Sequence, residues 1–382
     1  MRGFSLEMKK VIIRIFIFLM HVIYNIFKLR KTKKQITLVS RQSNEETLDF
    51  RMLRLALKKS GKYKVVVLTK KLEKSFFGMS EYILHIIKQM WNFAASEVIV
   101  TDSYSIPVSV LKHKENLKII QIWHAISAIK KFGYQTIGLE DGAKKDIAEL
   151  MRMHRNYDYV ISPSINTDKF FSEAFDIDIK KIVRLGLPRI DYIKRTVPNK
   201  KKDIENSYPK ILDDTKKNIL YVPTMRKNRP VDLKKFIEAF NPGEYTLIIK
   251  LHPLDVFTKK ILCRNVIYDT DFMSYDFLSV ADYVISDYSS FAVEAALAGV
   301  PLYFYIADYD EYIRKTGVNI DFKDEIISEY VMEDIEDLAI KIKGEYNFDK
   351  LNGFRNRYID LNMDNCTYNL AEFIIKQANK NL

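Results

Sequence analysis

The sequence predicts an α/β protein built from two doubly wound, Rossmann-like domains facing a cleft, and three observations carry that expectation. Short β-rich runs alternate with helical patterns along most of the chain, which implies parallel sheets covered by helices on both faces. The runs fall into two series separated by a lysine-rich polar stretch at 194–218. The chain has 382 residues and 47% apolar content, enough to bury a core in each of two domains.

The chain opens on a basic, apolar segment. Residues 1–35 hold nine Lys/Arg against Glu7 alone, a large share of the net charge of +12. Charge concentrated at one end points to an anionic membrane surface, because a nucleic-acid groove needs basic residues spread over a folded face. Within it, "VIIRIFIFLMHVIYNIF" (11–27) is too interrupted for a spanning helix, which wants about 20 nearly uncharged residues. At 100° per residue, Lys10, Arg14, His21, Asn25 and Lys28 fall within a sector of roughly 60°. A helix with so narrow a polar stripe would lie in the plane of the bilayer interface. No small-residue cleavage site follows, which argues against a signal peptide. Residues 1–35 are therefore expected to form an amphipathic, basic membrane anchor.

The first domain, 36–200, is expected to take its strands from "ITLVS" (36), "KVVVLT" (64), "EVIVTD" (97), "LKIIQIW" (117), "DYVISPS" (158) and "KIVRLG" (181). A linker is expected at 201–216. The second domain, 217–350, takes "ILYVPT" (219), "TLIIKLHP" (246), "NVIYD" (265), "DYVISD" (282) and "PLYFYI" (301). These runs lack polar alternation, as strands covered on both faces do. The last stretch, 351–382, reads as helical and is expected to brace the two domains. Cys263 and Cys366 have neither CxxC nor Cys/His spacing, so no disulfide framework or thiolate metal site is supported and a reducing, cytosolic setting fits.

In open α/β sheets, ligands bind beyond the carboxyl ends of strands, where helix N-termini point their unpaired N–H groups outward. The unusual residues of this chain follow its strands. "WHAISAIKKFG" (123–133) delivers His124 and then Lys130 and Lys131; "PTMRKN" (223–228) delivers Arg226; "KLHP" (250–253) delivers His252. Pro253 holds the backbone at His252 extended. Two of six histidines thus stand at strand ends in different domains, where an imidazole takes or gives a proton near neutral pH. In "SDYSSFAVEAALAGVP" (286–301), Asp287, Ser289 and Ser290 lead into a helix start that suits a phosphate, although Ser290 would serve equally as a plain cap. Glu294 falls in the first turn, placed to accept ribose hydroxyls or to complement the helix dipole. Walker A, GxGxxG, HExxH and GxSxG motifs are absent, so the corresponding kinase, dehydrogenase, zincin and hydrolase readings lack their signatures.

Taken in order, "QIWHAISAIKKFG", "GLPRID" (186–191), "YVPTMRKN", "IIKLHP", "ADYVISDYSSFAVEAALAGVPLYFYIADYDEY" and "GVNIDF" (317–322) resemble the CDP-glycerol glycerophosphotransferase family of teichoic acid synthesis. The likeness covers most of residues 97–325. It implies a GT-B fold and peripheral association with the cytoplasmic face of the cell membrane in a Gram-positive bacterium. It also implies transfer of glycerol phosphate from CDP-glycerol to a lipid-linked acceptor with release of CMP. By the same resemblance, His124 stands at the catalytic base and His252 at the second catalytic histidine. Asp287, Ser289 and Ser290 match the segment that handles the donor's phosphates, Arg226 the family arginine, and Asp321 the aspartate of "DF". Lys130 and Lys131 would hold acceptor or donor phosphate. Two positions depart from the pattern, Ser127 where a glycine is expected and Glu294 where aspartate is common. "HAISAIK" is closer to the form of the short primases than to that of the polymerases, and a chain of this length has no room for the polymerases' extra N-terminal domain.

The expected activity is therefore the priming transfer onto an undecaprenyl-diphosphate GlcNAc-ManNAc disaccharide. No tightly bound cofactor, no metal site and no nucleic acid are expected, with the divalent metal requirement left open. Partners would be CDP-glycerol, the polyprenyl-diphosphate-linked disaccharide, an anionic membrane surface and other teichoic acid enzymes. The alternatives are a glycerol or ribitol phosphate polymerase of the same family, and a GT-B glycosyltransferase using a nucleotide-sugar.

Overall fold

The computed structural model describes residues 6–73, 75–226 and 229–379. Residues 1–5 of the expected anchor, Lys227 and Asn228 of "PTMRKN", and residues 380–382 of the expected terminal helix lie outside the described residues. The chain forms two compact units. The first comprises Met1–Ile126, Lys131–Arg189 and Met363–Leu382, and the second Ser127–Lys130 and Ile190–Asn362.

Unit 1 is a parallel sheet of six strands: β1 (Gln35–Ser40), β2 (Lys64–Thr69), β3 (Val98–Thr101), β4 (Lys118–Gln121), β5 (Tyr159–Ser162) and β6 (Ile182–Arg184). Their order is β2-β1-β3-β4-β5-β6, so the chain reverses its direction of travel across the sheet between β1 and β3. The first three helices of the unit are α1 (Leu6–Phe27), α2 (Leu48–Lys59) and α3 (Phe76–Phe93). Successive strand residues point to opposite faces. Ile36, Leu38, Val98, Val100 and Ile120 pack against Phe50, Leu53 and Leu57 of α2 and against the helix Cys366–Asn379. Val39, Ile99, Ile119 and Val160 face a core shared with α1 and α3. Thr47 caps α2, Asp49 lies in its first turn and Lys58 and Lys59 in its last, each matching the helix dipole.

The expected anchor is not a detached segment. Met20 and Tyr24 of α1 are buried in the unit 1 core, with Phe16 and Phe27 packed beside them. The Tyr24 hydroxyl lies 2.9 Å from His113 Nδ1, and Lys10 pairs with Asp146 at 2.8 Å.

Unit 2 repeats the architecture with β7 (Lys217–Val222), β8 (Tyr245–Ile249), β9 (Val266–Ile267), β10 (Tyr283–Ser286), β11 (Leu302–Tyr305) and β12 (Val331–Met332). The order β12-β11-β10-β7-β8-β9 is parallel throughout and reverses between β7 and β10. Eleven of these strands in the two sheets match runs read from the sequence; β12, two residues long, does not.

The unit boundaries differ from the expected ones. The chain enters unit 2 after Arg189 rather than near 200. The expected linker 201–216 is folded inside unit 2 as a helix, Lys201–Ser207, and a 3-10 turn, Pro209–Leu212, pinned by buried Ile204 and Ile211. The expected terminal brace is two helices, Phe348–Tyr358 in unit 2 and Cys366–Asn379 in unit 1.

Candidate active site

In unit 1 the polar chemistry gathers where the sheet reverses. β4 ends at Gln121, and its side chain accepts a hydrogen bond from Trp123 N at 2.8 Å. Trp123 then takes a left-handed backbone, φ 55°, a conformation that costs a non-glycine residue about 1–2 kcal/mol. Packing holds it there. The indole stacks on Phe132 at 4.7 Å, with Phe175 and His154 edge-on to it. His124 leaves this turn with its ring 4.1 Å from the indole. Gly133 closes the loop at φ +56°, and a Cβ there would lie 2.0 Å from the Ala174 carbonyl oxygen, so only glycine fits. Ser127 has negative φ, so serine at this position meets no backbone strain.

His124 Nδ1 lies 3.1 Å from the Asp102 carbonyl oxygen, beyond β3, and 3.1 Å from Gln42 Nε2, beyond β1. A carbonyl only accepts, so Nδ1 carries the proton in that contact. As placed, the Gln42 nitrogen can only donate, so the two contacts ask opposite tautomers of Nδ1; turning the amide over, which its near-symmetry allows, puts the Gln42 oxygen on Nδ1–H and both contacts then hold at once. The lone pair then resides on Nε2, as a general base requires. Burial pushes the Asp102 carboxyl up to about 7 against the pull of Ser40 and Ser103, and its Oδ1 has no hydrogen-bond partner. Lys131 belongs to the same unit and is half-buried.

In unit 2 the ends of β8, β7 and β10 lie side by side. Asp287, after β10, accepts from Thr224 N at 2.9 and 3.0 Å and from Thr224 Oγ1, and pairs with Arg226 at 2.9 Å. Arg226 also forks onto Asp308, Nε to Oδ2 at 2.6 Å and Nη2 to Oδ1 at 3.0 Å, and donates to the Thr224 carbonyl. Protein acceptors thus take most of its five N–H donors. Burial works against the Arg226 charge, but Asp287 and Asp308 outweigh it and hold the guanidinium firmly protonated. Burial likewise would raise Asp308, yet the Arg226 hydrogen bonds hold it below the usual carboxylate range. Tyr288, stacked on Tyr312 at 3.8 Å, lies under the guanidinium. Arg226 and Asp287 therefore brace two strand ends against each other, with most of their hydrogen-bonding capacity taken by protein partners.

Lys130 Nζ donates to Thr224 Oγ1 at 3.0 Å. Burial lowers its ammonium to about 8, with Asp287 opposing the shift. Its segment, 127–130, is clamped by the "GVNIDF" motif. Lys130 bridges to Val318, Asn319 N donates to the Ile129 carbonyl, and Asn319 Nδ2 donates to those of Ala128 and Lys130. Asp321 is instead exposed and accepts from Lys323 N.

His252 follows β8, exposed, with Nδ1 accepting from Leu254 N–H at 3.1 Å, which places its proton on Nε2. Ser289 Oγ accepts from Phe291 N at 3.3 Å, so the turn is capped by Ser289; Ser290 makes no side-chain capping bond. Glu294 is buried in the first turn of the helix Phe291–Leu297. A cavity of ≈ 610 Å³ opens beside the brace, lined by Thr224, Arg226, Arg229, Asp287, Asp308 and neighbours; His252, Ser289, Ser290, Glu294 and Asp321 are not among its lining residues. Among the described residues no cluster of three or more His, Cys, Asp or Glu is placed to hold a metal ion.

The sequence did not single out Gln42, Asp102, Thr224, Asp308 or Asn319. For the first three the signal was position, since each follows a strand at a point where its sheet reverses.

The family model described as CDP-Glycerol:Poly(glycerophosphate) glycerophosphotransferase matches residues 21–376. A teichoic acid ribitol-phosphate primase of Bacillus spizizenii is 28% identical over 354 residues, 89% of this chain and 90% of that protein. A teichoic acid glycerol-phosphate primase of Bacillus subtilis is 30% identical over 317 residues, 78% and 80% of the two. A solved structure of the wall teichoic acid polymerase TagF superposes with a TM-score of 0.70 at 18% identity, covering 100% of both chains; at that identity the likeness speaks to fold alone.

Proposed function

Because this chain belongs to the CDP-glycerol:poly(glycerophosphate) glycerophosphotransferase family, we propose that it transfers glycerol phosphate from CDP-glycerol to a polyprenyl-diphosphate-linked disaccharide, releasing CMP. It is a CDP-alcohol phosphotransferase of teichoic acid synthesis. The single priming addition is the finer part of the proposal, supported by primase relatives matched over 90% and 80% of their lengths.

The observation that carries the chemistry is the opposite surroundings of the two Nδ1 atoms, a carbonyl oxygen beside His124 and a backbone N–H beside His252. His124, with Nδ1–H on the Asp102 carbonyl, takes the proton of an acceptor hydroxyl at Nε2. The alkoxide oxygen forms a bond to the β-phosphorus, the bond from that phosphorus to the bridging oxygen breaks, and CMP leaves with the electron pair. His252, with Nδ1 accepting from Leu254, donates Nε2–H to phosphate oxygens as charge develops. Ser289, Ser290 and the lysines at 130 and 131 are proposed to hold the phosphates, and Glu294 and Asp321 remain proposed donor contacts. Arg226 and Asp287 act by fixing the strand ends from which these groups reach. The protein would work peripherally on the cytoplasmic face of the membrane, held there through residues 1–35.

Mass spectrometry of a synthetic polyprenyl-diphosphate disaccharide after incubation with protein and CDP-glycerol tests this. One added glycerol phosphate with matching CMP is expected, and a ladder of additions would make the enzyme a polymerase. CDP-ribitol belongs in the same assay, because the likeness to the ribitol-phosphate primase spans 354 residues; exclusive use of that donor would overturn the choice of glycerol. Product with neither would refute the phosphotransferase reading.

A further inference from the structure

Trp123 and His154 are both held in the left-handed backbone region, at φ 55° and 58°, and their rings meet edge-on at 5.8 Å. That region is uncommon for residues other than glycine and rarer still for a ring as bulky as indole, so surrounding structure must hold it. A buried chain of side chains runs from one residue to the other. Trp123 N donates to Gln121 Oε1 at 2.8 Å, Gln121 Nε2 donates to the Tyr157 hydroxyl at 2.9 Å, and that hydroxyl lies 2.9 Å from His154 Nδ1. Gln121, Tyr157 and His154 are all buried, and none of them touches substrate in the mechanism proposed above. They sit beside Phe171 and Phe175 in an aromatic core, where a polar chain is tolerated only if its members satisfy one another.

The chain has a direction. A backbone N–H only donates, which fixes Gln121 Oε1 on Trp123 and turns Nε2 to the Ser103 carbonyl at 3.3 Å and to Tyr157. The Tyr157 hydroxyl accepts from Gln121 and has its own proton to give to His154 Nδ1. Burial, with Arg41 and His124 adding to it, lowers the His154 imidazolium to about 3, so the ring is neutral and keeps one nitrogen as acceptor. Both ends of the chain are tied to backbone. The turn after β3 offers two successive carbonyls, that of Asp102 to the His124 ring and that of Ser103 to Gln121, and Thr101 Oγ1 holds the second at 2.7 Å. At the far end, Asn156 Nδ2 donates to the Val108, Ser109 and Leu111 carbonyls, which pins the loop that carries His154. Loss of the Tyr157 link would free the Gln121 amide, release Trp123 N and move the residue that follows it, His124.

We propose that Gln121, Tyr157 and His154 are positioning residues for His124: their buried chain holds Trp123 in its left-handed turn and so aims the imidazole at the acceptor hydroxyl. The inference rests on His124 as base in the function proposed above and adds three residues that act on it through the backbone of Trp123. The demand on such a device is high, because a displacement of about 1 Å at a reacting group can cost about a hundredfold in rate.

Tyr157→Phe keeps the ring and removes the link. In purified full-length protein, well below the melting temperature, kcat for CMP release should fall about tenfold to a hundredfold with KM for CDP-glycerol unchanged, because the base acts on the acceptor. A purely structural role would lower the melting temperature and leave kcat alone. His154 supplies the rescue. Asparagine carries an acceptor where Nδ1 stands and tolerates a left-handed backbone, so His154→Asn should keep most of the rate that His154→Leu loses. The chain has two tryptophans, so in a Trp91→Phe background near-ultraviolet circular dichroism reads Trp123 alone, and Tyr157→Phe and His154→Leu should flatten its band. Unchanged kcat in Tyr157→Phe, a fall in kcat with the Trp123 band unaltered, or asparagine no better than leucine overturns the proposal. Nitrogen NMR of the histidine-labelled wild type stands even if Tyr157→Phe does not fold: the His154 proton is expected on Nε2, and a proton on Nδ1 would reverse the chain and overturn it too. His124→Ala in the same assay separates the two readings. Near-normal turnover there removes the base itself, whereas an inactive His124→Ala beside a fully active Tyr157→Phe overturns the positioning and spares the base.

Discussion

Exchanging Gln42 for glutamate tests the assignment of His124 as base. The Gln42 amide lies 3.1 Å from His124 Nδ1, and Gln42 is exposed. A carboxylate there would sit about 4 Å from the charge on a protonated ring, an attraction of about 1 kcal/mol in water and about 4 kcal/mol at an effective dielectric of 20. Exposure selects the lower part of that range, so the protonated ring gains about 1–2 kcal/mol, or about one pH unit. His124 works only when neutral, so the carboxylate moves the acidic limb of kcat/KM upward by about one unit. Above that limb the Gln42→Glu enzyme keeps most of its rate, because Nδ1–H still finds an acceptor. Gln42→Leu should lose about fivefold, the worth of one hydrogen bond, without moving the limb. CMP release between about pH 5.5 and 9.5 reads both, a window that brackets the ordinary histidine value. An unmoved limb, or a plateau lowered more than about a hundredfold, would refute the reasoning. It would mean that the Gln42 amide donates to Nδ1, leaving the proton on Nε2 and no base.

The other expectations draw on the same geometry. His252→Ala should cost about 10² to 10⁴ in kcat with little change in melting temperature, since the ring is exposed; near-normal turnover would remove it from the chemistry. Asp102, with its carboxyl raised to about 7 by burial, costs the fold progressively more as pH climbs from about 4 to 7. Asp102→Asn should therefore raise the melting temperature more at pH 8 than at pH 5, and an equal change at both would contradict the shift. Asp308→Ala leaves Arg226 with Asp287 as its remaining carboxylate, and urea unfolding should show a loss of about 2 kcal/mol. Because Arg226 holds Asp308 below its ordinary value, that difference should be present at neutral pH and vanish as acid protonates the folded carboxyl. Gly133→Ala forces a Cβ to 2.0 Å from a carbonyl oxygen at φ +56° and should destabilise by more than about 1 kcal/mol; wild-type stability would mean that the loop has another conformation.

How far the sequence reaches depends on the range of the interaction that decides each feature. "KVVVLT" was legible to the residue, 64–69, because a β-branched run between polar breaks is a local signal. β12 was not, because "VM" is two residues among acids and its pairing to Phe304 and Tyr305 comes from β11. The stretch 201–216 reads as linker by composition, yet Ile204 and Ile211 are enough to fold it onto unit 2. At the site, residue types were legible and partners were not. Arg226 was visible as a cation after a strand, but its fork onto Asp308, 82 positions later, was not. His124 was visible as an imidazole at a strand end, but Gln42, 82 positions earlier, lies in the part of the fold that decides which nitrogen holds the proton.

The two units solve the same problem in mirror order. Each sheet reverses between two strands, β1 and β3 in unit 1 and β7 and β10 in unit 2. Each histidine follows the strand just outside that pair, β4 for His124 and β8 for His252. At the reversal, adjacent crossovers diverge to opposite sides, which opens the carboxyl ends of the strands and leaves their backbone groups as rigid supports. In unit 1 that support is the Asp102 carbonyl, joined by the Gln42 side chain; in unit 2 it is Thr224 N, bonded to the Asp287 carboxylate. Acid–base chemistry needs a ring whose proton is assigned before substrate arrives, and an assignment made by backbone groups survives side-chain motion better than one made by another side chain. The Asp102 carbonyl and the Leu254 N–H are both backbone groups, one an acceptor and the other a donor, and that difference is what separates the proposed base from the proposed acid.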